Sequence, residues 1–166
     1  MSIQALREEM EQLIRLHDAL LELSTAKTQV LVENNVEELN RIVHKEANLV
    51  RQVTECERRR MEAIDRFLIS KGFHPTPSIT VTEVVRLIFR MEDKQAILQL
   101  QQELSSRLAE LKKRNEHNRQ LIEQSLGYLN LSLDLMIGPP DDDTVYRNPQ
   151  QPGTGAYRNR FYDHRV

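Results

Sequence analysis

Apolar residues recur every three or four positions through most of this chain, the spacing of one helix face. Ile3, Leu6, Met10, Leu13, Leu16, Leu20, Leu23 and Val30 form the first such stripe. It predicts a helix over residues 2 to about 33, with Ser2 as its N-cap. Asn34-Asn35 interrupts the pattern. Asn35 is placed to cap a second helix, and Glu38 stands three residues later, as in a capping box. The second stripe is Leu39, Ile42, Val43, Leu49, Val50, Val53, Cys56, Ile64, Phe67 and Leu68, and Lys71-Gly72 is a stop signal. Pro75 and Pro77 exclude a continuing helix. Thr80 with Glu83 then opens a short third helix from Val81 to about Met91. The β-branched Val81, Val84, Val85 and Ile88 would also suit a strand, but a lone strand has nothing to pair with.

The fourth helix is predicted from about Lys94 to Ile137, roughly 65 Å if straight. Its seam is Ile97, Leu100, Leu104, Leu108, Leu111, Asn115, Asn118, Ile122, Leu126, Leu129, Leu133 and Met136, at steps near the coiled-coil spacing. Asn115 and Asn118 are polar residues at seam positions, a device that sets helix register at some cost in stability. Toward its C-terminus the helix turns apolar nearly all round. Leu121, Tyr128, Leu131 and Leu135 form a second stripe, roughly 100° from the seam. A helix that only packs into its own bundle needs one stripe. The expectation is therefore that one stripe packs inside and the other is free for an amphipathic helix of a partner. The bland counterpart is that the first two helices wrap both sides of this helix end.

Gly138-Pro139-Pro140 ends the pattern. From Pro139 onward lie four of the six prolines and three consecutive Asp residues, with no apolar period. Such a segment cannot offset its ordering entropy by burial. The predicted organisation is thus an all-α, antiparallel bundle of three long coiled-coil-like helices plus one short helix over residues 1–138, and a flexible C-terminal tail over 139–166. The tail carries Tyr146, Tyr157, Phe161 and Tyr162, and aromatics in a polar segment suit docking anchors.

Composition narrows the chemistry. Charged residues make up 29% and aromatics 5%, and the net charge is −2. Acids and bases alternate, so no basic face argues for nucleic acid. No apolar run reaches the length of a membrane span, so no membrane insertion is expected. Arg7, Glu8, Glu9 and Glu11 interrupt the N-terminal region where a signal peptide would be apolar, which predicts a soluble, intracellular protein. The histidines at 17, 44, 74, 117 and 164 include no pair at i and i+4, and no phosphate loop or serine elbow occurs. Neither catalysis nor a cofactor is expected. Cys56, the single cysteine, sits on the second stripe and is expected to pack as a small hydrophobe.

Several segments together resemble the FlgN family of flagellar type III export chaperones. They are Asn115-x-His117-Asn118 followed by Leu121-Ile122-Glu123, the Leu-rich helix end, the proline and acidic break, Thr144-Val145-Tyr146, and Ile42-Val43-His44-Lys45-Glu46-Ala47-Asn48-Leu49-Val50. The resemblance covers most of the chain and is strongest over about 115–146. It implies a cytoplasmic protein without enzymatic activity or nucleotide. It implies a chaperone that holds the C-terminal helical segments of the hook-filament junction proteins FlgK and FlgL and then docks on the export gate protein FlhA. The two apolar stripes at the end of the fourth helix supply the expected client surface, Leu121, Ile122, Leu126, Tyr128, Leu129, Leu131, Leu133, Leu135 and Met136, and Tyr146 resembles the family's gate-docking tyrosine. The rival reading, from another class, is a structural coiled-coil adaptor or scaffold whose spare stripe is a self-interface.

Overall fold

The chain forms α1 (Ser2–Val32), α2 (Val36–Ser70), α3 (Val81–Arg86) and α4 (Met91–Ile137). The structure, a computed structural model, describes residues 2–76 and 78–138, with Ser2 by its backbone alone. No strand occurs among the described residues, and Val81–Arg86 is helical. Packing divides the chain into two units, Met1–Tyr128 and Leu129–Val166.

Local signals account for the helix ends. Asn34 adopts a left-handed φ of 55°. That lets Asn35 N donate to Val30 O at 3.1 Å and Asn34 N donate to Leu31 O at 3.3 Å, a Schellman closure of α1. Asn35 then caps α2, its side chain accepting from Glu38 N at 3.1 Å. The expected capping box is therefore half realised, because the N–H of Asn35 is spent on Val30 and not on the Glu38 carboxylate. Gly72, with φ 79°, closes α2 in the same way, Phe73 N donating to Leu68 O at 3.0 Å. At Thr80 the box is complete: Glu83 accepts from the backbone N of Thr80 at 2.7 Å and donates its own N–H to the Thr80 hydroxyl oxygen at 3.3 Å.

The third helix is shorter than its sequence predicts. It stops at Arg86 instead of near Met91, and α4 begins at Met91 instead of Lys94. Leu87 N and Ile88 N reach back only three residues, to Val84 O at 3.0 Å and Val85 O at 3.2 Å, which tightens and ends the helix. Ile88 is thereby buried with Val84 and Val85.

In the first unit α1 and α2 are antiparallel, as the ion pairs Glu9–Arg59 at 3.0 Å and Lys27–Glu46 at 2.5 Å require. The first part of α4 runs parallel to α1. Asp18 meets Arg107 at 3.1 Å, Arg114 donates to Thr25 at 2.6 Å, and Thr28 donates to Asn118 at 2.6 Å. The direction pattern is up, down, up, with α3 in the reversal. The main core joins Leu6 and Met10 of α1, Ile64, Phe67 and Leu68 of α2, Val84, Val85 and Ile88 around α3, and Ile97 of α4. A smaller cluster holds Leu13, Leu16 and Cys56, flanked by Leu49, Val53 and Leu104. Cys56 is fully buried and packs as its place on the stripe predicts.

Of the second unit, the structure describes the last turns of α4 and Gly138, whose N–H donates to Asp134 O at 3.1 Å. Gly138 has φ 73°, which the glycine allows without strain. The tail from 139, with Tyr146 and the three later aromatics, lies outside the described residues.

Candidate functional site

The seam of α4 changes character at Asn118. That residue is 2% exposed, and among the described residues of α4 only it and Ile97 are fully buried. Its Nδ2 donates to Ser24 O at 2.9 Å and to Ser24 Oγ at 3.2 Å, while its Oδ1 accepts from Thr28 Oγ1. Ser24 Oγ in turn donates to Asn115 Oδ1 at 3.3 Å. This polar cluster meets the register role predicted for the two asparagines. Every polar atom of the Asn118 amide has a partner, which is what makes its burial tolerable.

The same cluster explains where coverage of α4 stops. Thr28 and Asn118 are 90 positions apart, so Val32, the last residue of α1, stands level with position 122. Beyond that level α1 has nothing to offer α4. Accordingly Ile122 is 37% exposed, Leu126 54% and Tyr128 71%, while Leu121 is half-buried. In the second unit Leu129, Leu131, Leu133, Leu135 and Met136 are all exposed, Met136 at 84%.

This corrects the two-stripe expectation. The expectation is that one of the two stripes packs inside the bundle and the other is free. Instead every residue of both stripes from Ile122 onward is exposed and Leu121 is half-buried; within the first unit the seam continues past the level of Val32, where α1 ends. A continuous apolar period records which residues share a face and carries no mark where its partner ends. Apolar side chains in such number on one helix, in water, are an unsatisfied hydrophobic surface.

A second correction concerns α2. Val43 and Val50 were assigned to its buried stripe, yet Val36, Val43 and Val50 are 67%, 46% and 52% exposed. The buried residues are Ile42, Cys56, Ala63, Ile64, Phe67 and Leu68. Val50 shares a cavity of about 280 Å³ with Leu20, Leu111, Asn115, Asn118 and Ile122, with the Lys27–Glu46 pair at its side. Ile122, a predicted client residue, is thus set beside the apolar Leu20 of α1 and Val50 of α2. Sequence reasoning missed this α2 line. Its signal was legible as three valines spaced seven apart.

Elsewhere the chemistry is that of packing and solvated surface. Burial pushes the Cys56 thiol up to about 11, and the Glu9 carboxylate to which its Sγ donates at 3.1 Å adds to the effect. Burial also works against the Glu9 charge, but the Arg59 guanidinium and the Cys56 thiol hold its carboxyl below the usual range. A raised thiol pKa opposes nucleophilic chemistry. Arg119 bridges Glu116 and Glu123, one turn away on either side, and its own pKa is raised by both. Among the described residues there is no cluster of His, Cys, Asp and Glu able to hold a metal ion, and no helix is long and apolar enough to cross a membrane.

Comparison with known proteins identifies the family. The family model for the FlgN protein matches residues 1–154. The chain belongs to the FlgN family. It is also similar to the uncharacterized protein YvyG of Bacillus subtilis (strain 168), with 33% identity over 146 residues, 88% of this chain and 87% of that one. No solved structure matches it significantly. The FlgN match includes residues 42–50 and 115–146, on which the resemblance in the sequence rests.

Proposed function

We propose that this FlgN-family chain is a cytoplasmic flagellar export chaperone. It binds helical segments of the junction proteins FlgK and FlgL, prevents their premature assembly, and delivers them to the export gate protein FlhA. The observation that carries the reading is the exposed apolar end of α4 in a chain of this family. A junction protein that assembles through apolar helices must not do so before export. A helix laid against an apolar helix face blocks that assembly and releases without covalent chemistry. The contact residues in this reading are Leu121, Ile122, Leu126, Tyr128, Leu129, Leu131, Leu133, Leu135 and Met136, with Tyr146 as the gate anchor.

Exposure makes the test clean. Leu129 and Leu133 are 55% and 52% exposed, so an aspartate at either does not threaten the core. Titration calorimetry of Leu129→Asp, Leu133→Asp and Leu135→Asp against purified FlgK and FlgL is expected to show loss of client binding with circular dichroism unchanged. Wild-type affinity in all three would overturn the reading. A concentration-dependent dimer that these substitutions break, with no client bound by the wild type, would establish the self-associating scaffold instead. For the tail, Tyr146→Ala is expected to cost about 2 kcal/mol of gate binding, roughly thirtyfold, the scale of an aromatic anchor. Calorimetry against the FlhA cytoplasmic domain, with and without client, reads it. Unchanged gate affinity would pass the role to Tyr157 or Tyr162, and an equal loss of client affinity would refute it.

A further inference from the structure

The line Val36, Val43, Val50 on α2 is left about half exposed or more by the fold. Valine is a poor choice for a solvent-facing helix position, since its branched side chain loses rotamer freedom there and contributes no charge. Three valines seven apart stand on one narrow line of the helix, about 100° from the buried Ile42 line. Val50 opens into the cavity that it shares with Leu111 and Ile122 of α4. Because α2 and the first-unit part of α4 run in opposite directions, Val43 and Val36 follow Val50 toward the uncovered part of α4. Val50 and the α4 residues Leu111 and Ile122 are thus opposite walls of one groove, with Leu20 of α1 at its floor, and Val43 and Val36 extend the α2 line beyond it.

The chemistry of the groove specifies its occupant. Both walls repeat near every seven residues, so the complementary object repeats likewise and is an α-helix. The charges at its edge are already matched: Lys27 to Glu46 at 2.5 Å, and Arg119 to Glu116 at 2.8 Å and to Glu123. Nothing there calls for a charged ligand. The α4 wall continues through Ile122 into Leu126, residues of the proposed client surface.

We propose that the client helix does not merely lie along α4 but enters between α4 and α2, completing a four-helix bundle, with Val36, Val43 and Val50 as its second wall. The occupant is an amphipathic helix with apolar residues at three- and four-residue steps over about 21 Å, the length from Val36 to Val50. This rests on the chaperone reading of the α4 surface and adds a second set of contacts to it.

The test uses the full chain and purified FlgK and FlgL. Val43→Glu and Val50→Glu place a strong helix former at exposed positions, so folding is retained and is checked by thermal melting. Each is expected to weaken client binding roughly tenfold or more, because a carboxylate would be desolvated against the client helix. Val43→Leu is expected to restore binding to near the wild-type level. As a readout independent of stability, a photo-crosslinking benzoylphenylalanine at Val43 is expected to capture the client. The same group at Asn48, exposed and about 140° round the helix, is not. If the wild type binds client and Leu129→Asp abolishes it while the α2 variants bind normally and Val43 captures nothing, the groove inference falls and the chaperone reading stands. If the wild type binds neither client, both fall. If Val43 captures only a second copy of this chain, the groove is a self-interface and the inference is overturned.

Discussion

Asn118 decides more than any other single residue. It is buried, it spends both amide ends on α1, and it sets the level at which α1 and α4 meet. Asn118→Ala is expected to destabilise the protein by about 1–3 kcal/mol, the cost of leaving buried partners unpaired. Paired with Ser24→Ala in a double-mutant cycle, chemical denaturation is expected to show a coupling of about 0.5–3 kcal/mol; strict additivity would show that the cluster does not act as one. Buried Cys56 and half-buried Glu9 form another polar contact between α1 and α2. With its thiol pushed up to about 11, Cys56 is expected to react with a thiol reagent at pH 8 only as fast as the protein opens, and at the free-cysteine rate once unfolded. The sign for Glu9 runs the opposite way. Its folded pKa lies below the ordinary 4.5, so its contribution is present above that pH and is lost as the pH falls through the lower, folded value. Glu9→Gln is expected to flatten the acid limb of stability below about pH 4.5 and to leave its shape above pH 6 unchanged, as denaturation at stepped pH would show. The charged partners of Glu9 were not legible in the sequence, because Arg59 stands 50 residues away and meets it only through the antiparallel pairing of α1 and α2.

At the scale of elements, ends were more legible than lengths. Asn34-Asn35, Lys71-Gly72 and Thr80 with Glu83 all mark real boundaries, because capping is satisfied within a few residues and needs no tertiary partner. Thr80→Ala is expected to cost about 1 kcal/mol by loss of the capping box, read by thermal or chemical denaturation. The end of α3 depended on burial of Ile88 against the core, and no local signal announced it. Within α4, Gly127 is the residue least suited to a helix interior, and a Cβ there would meet nothing within 4 Å. Gly127→Ala is expected to stabilise this part of α4 by up to about 1 kcal/mol, visible as slower amide exchange in the flanking turns. No change in exchange would mean that the turn is held by something other than its own propensity.

For the whole molecule, the informative quantity is how far each helix is covered. The first unit holds both core clusters, with their residues drawn from α1, α2, α3 and the first half of α4. In the second unit the described large apolar side chains are all exposed. A chain ended after Tyr128 is therefore expected to unfold at nearly the same temperature as the full chain while losing most of its affinity for FlgK and FlgL. Scanning calorimetry and binding titration on the same pair of proteins separate the two. A large drop in melting temperature would show that the end of α4 serves stability. Apolar surface kept outside the core is what a partner-binding helix requires, and it contributes nothing to folding until the partner arrives.

By itself the sequence determined the helical period, the capped boundaries and the polar residues set into the α4 seam, since each depends on chemistry within a few turns. It also carried the FlgN resemblance, which the family match bears out. Only the tertiary structure decided which apolar faces are covered. Two side chains on the same α4 seam, such as Leu104 and Leu126, look alike to a periodicity argument. One packs against Leu13 and Leu16, and the other stands more than half exposed, because α1 ends at Val32 and the asparagine cluster fixes where that end falls. The free valine line of α2 has the same origin: periodicity tells which residues share a face, and packing between distant segments decides whether that face meets protein or water.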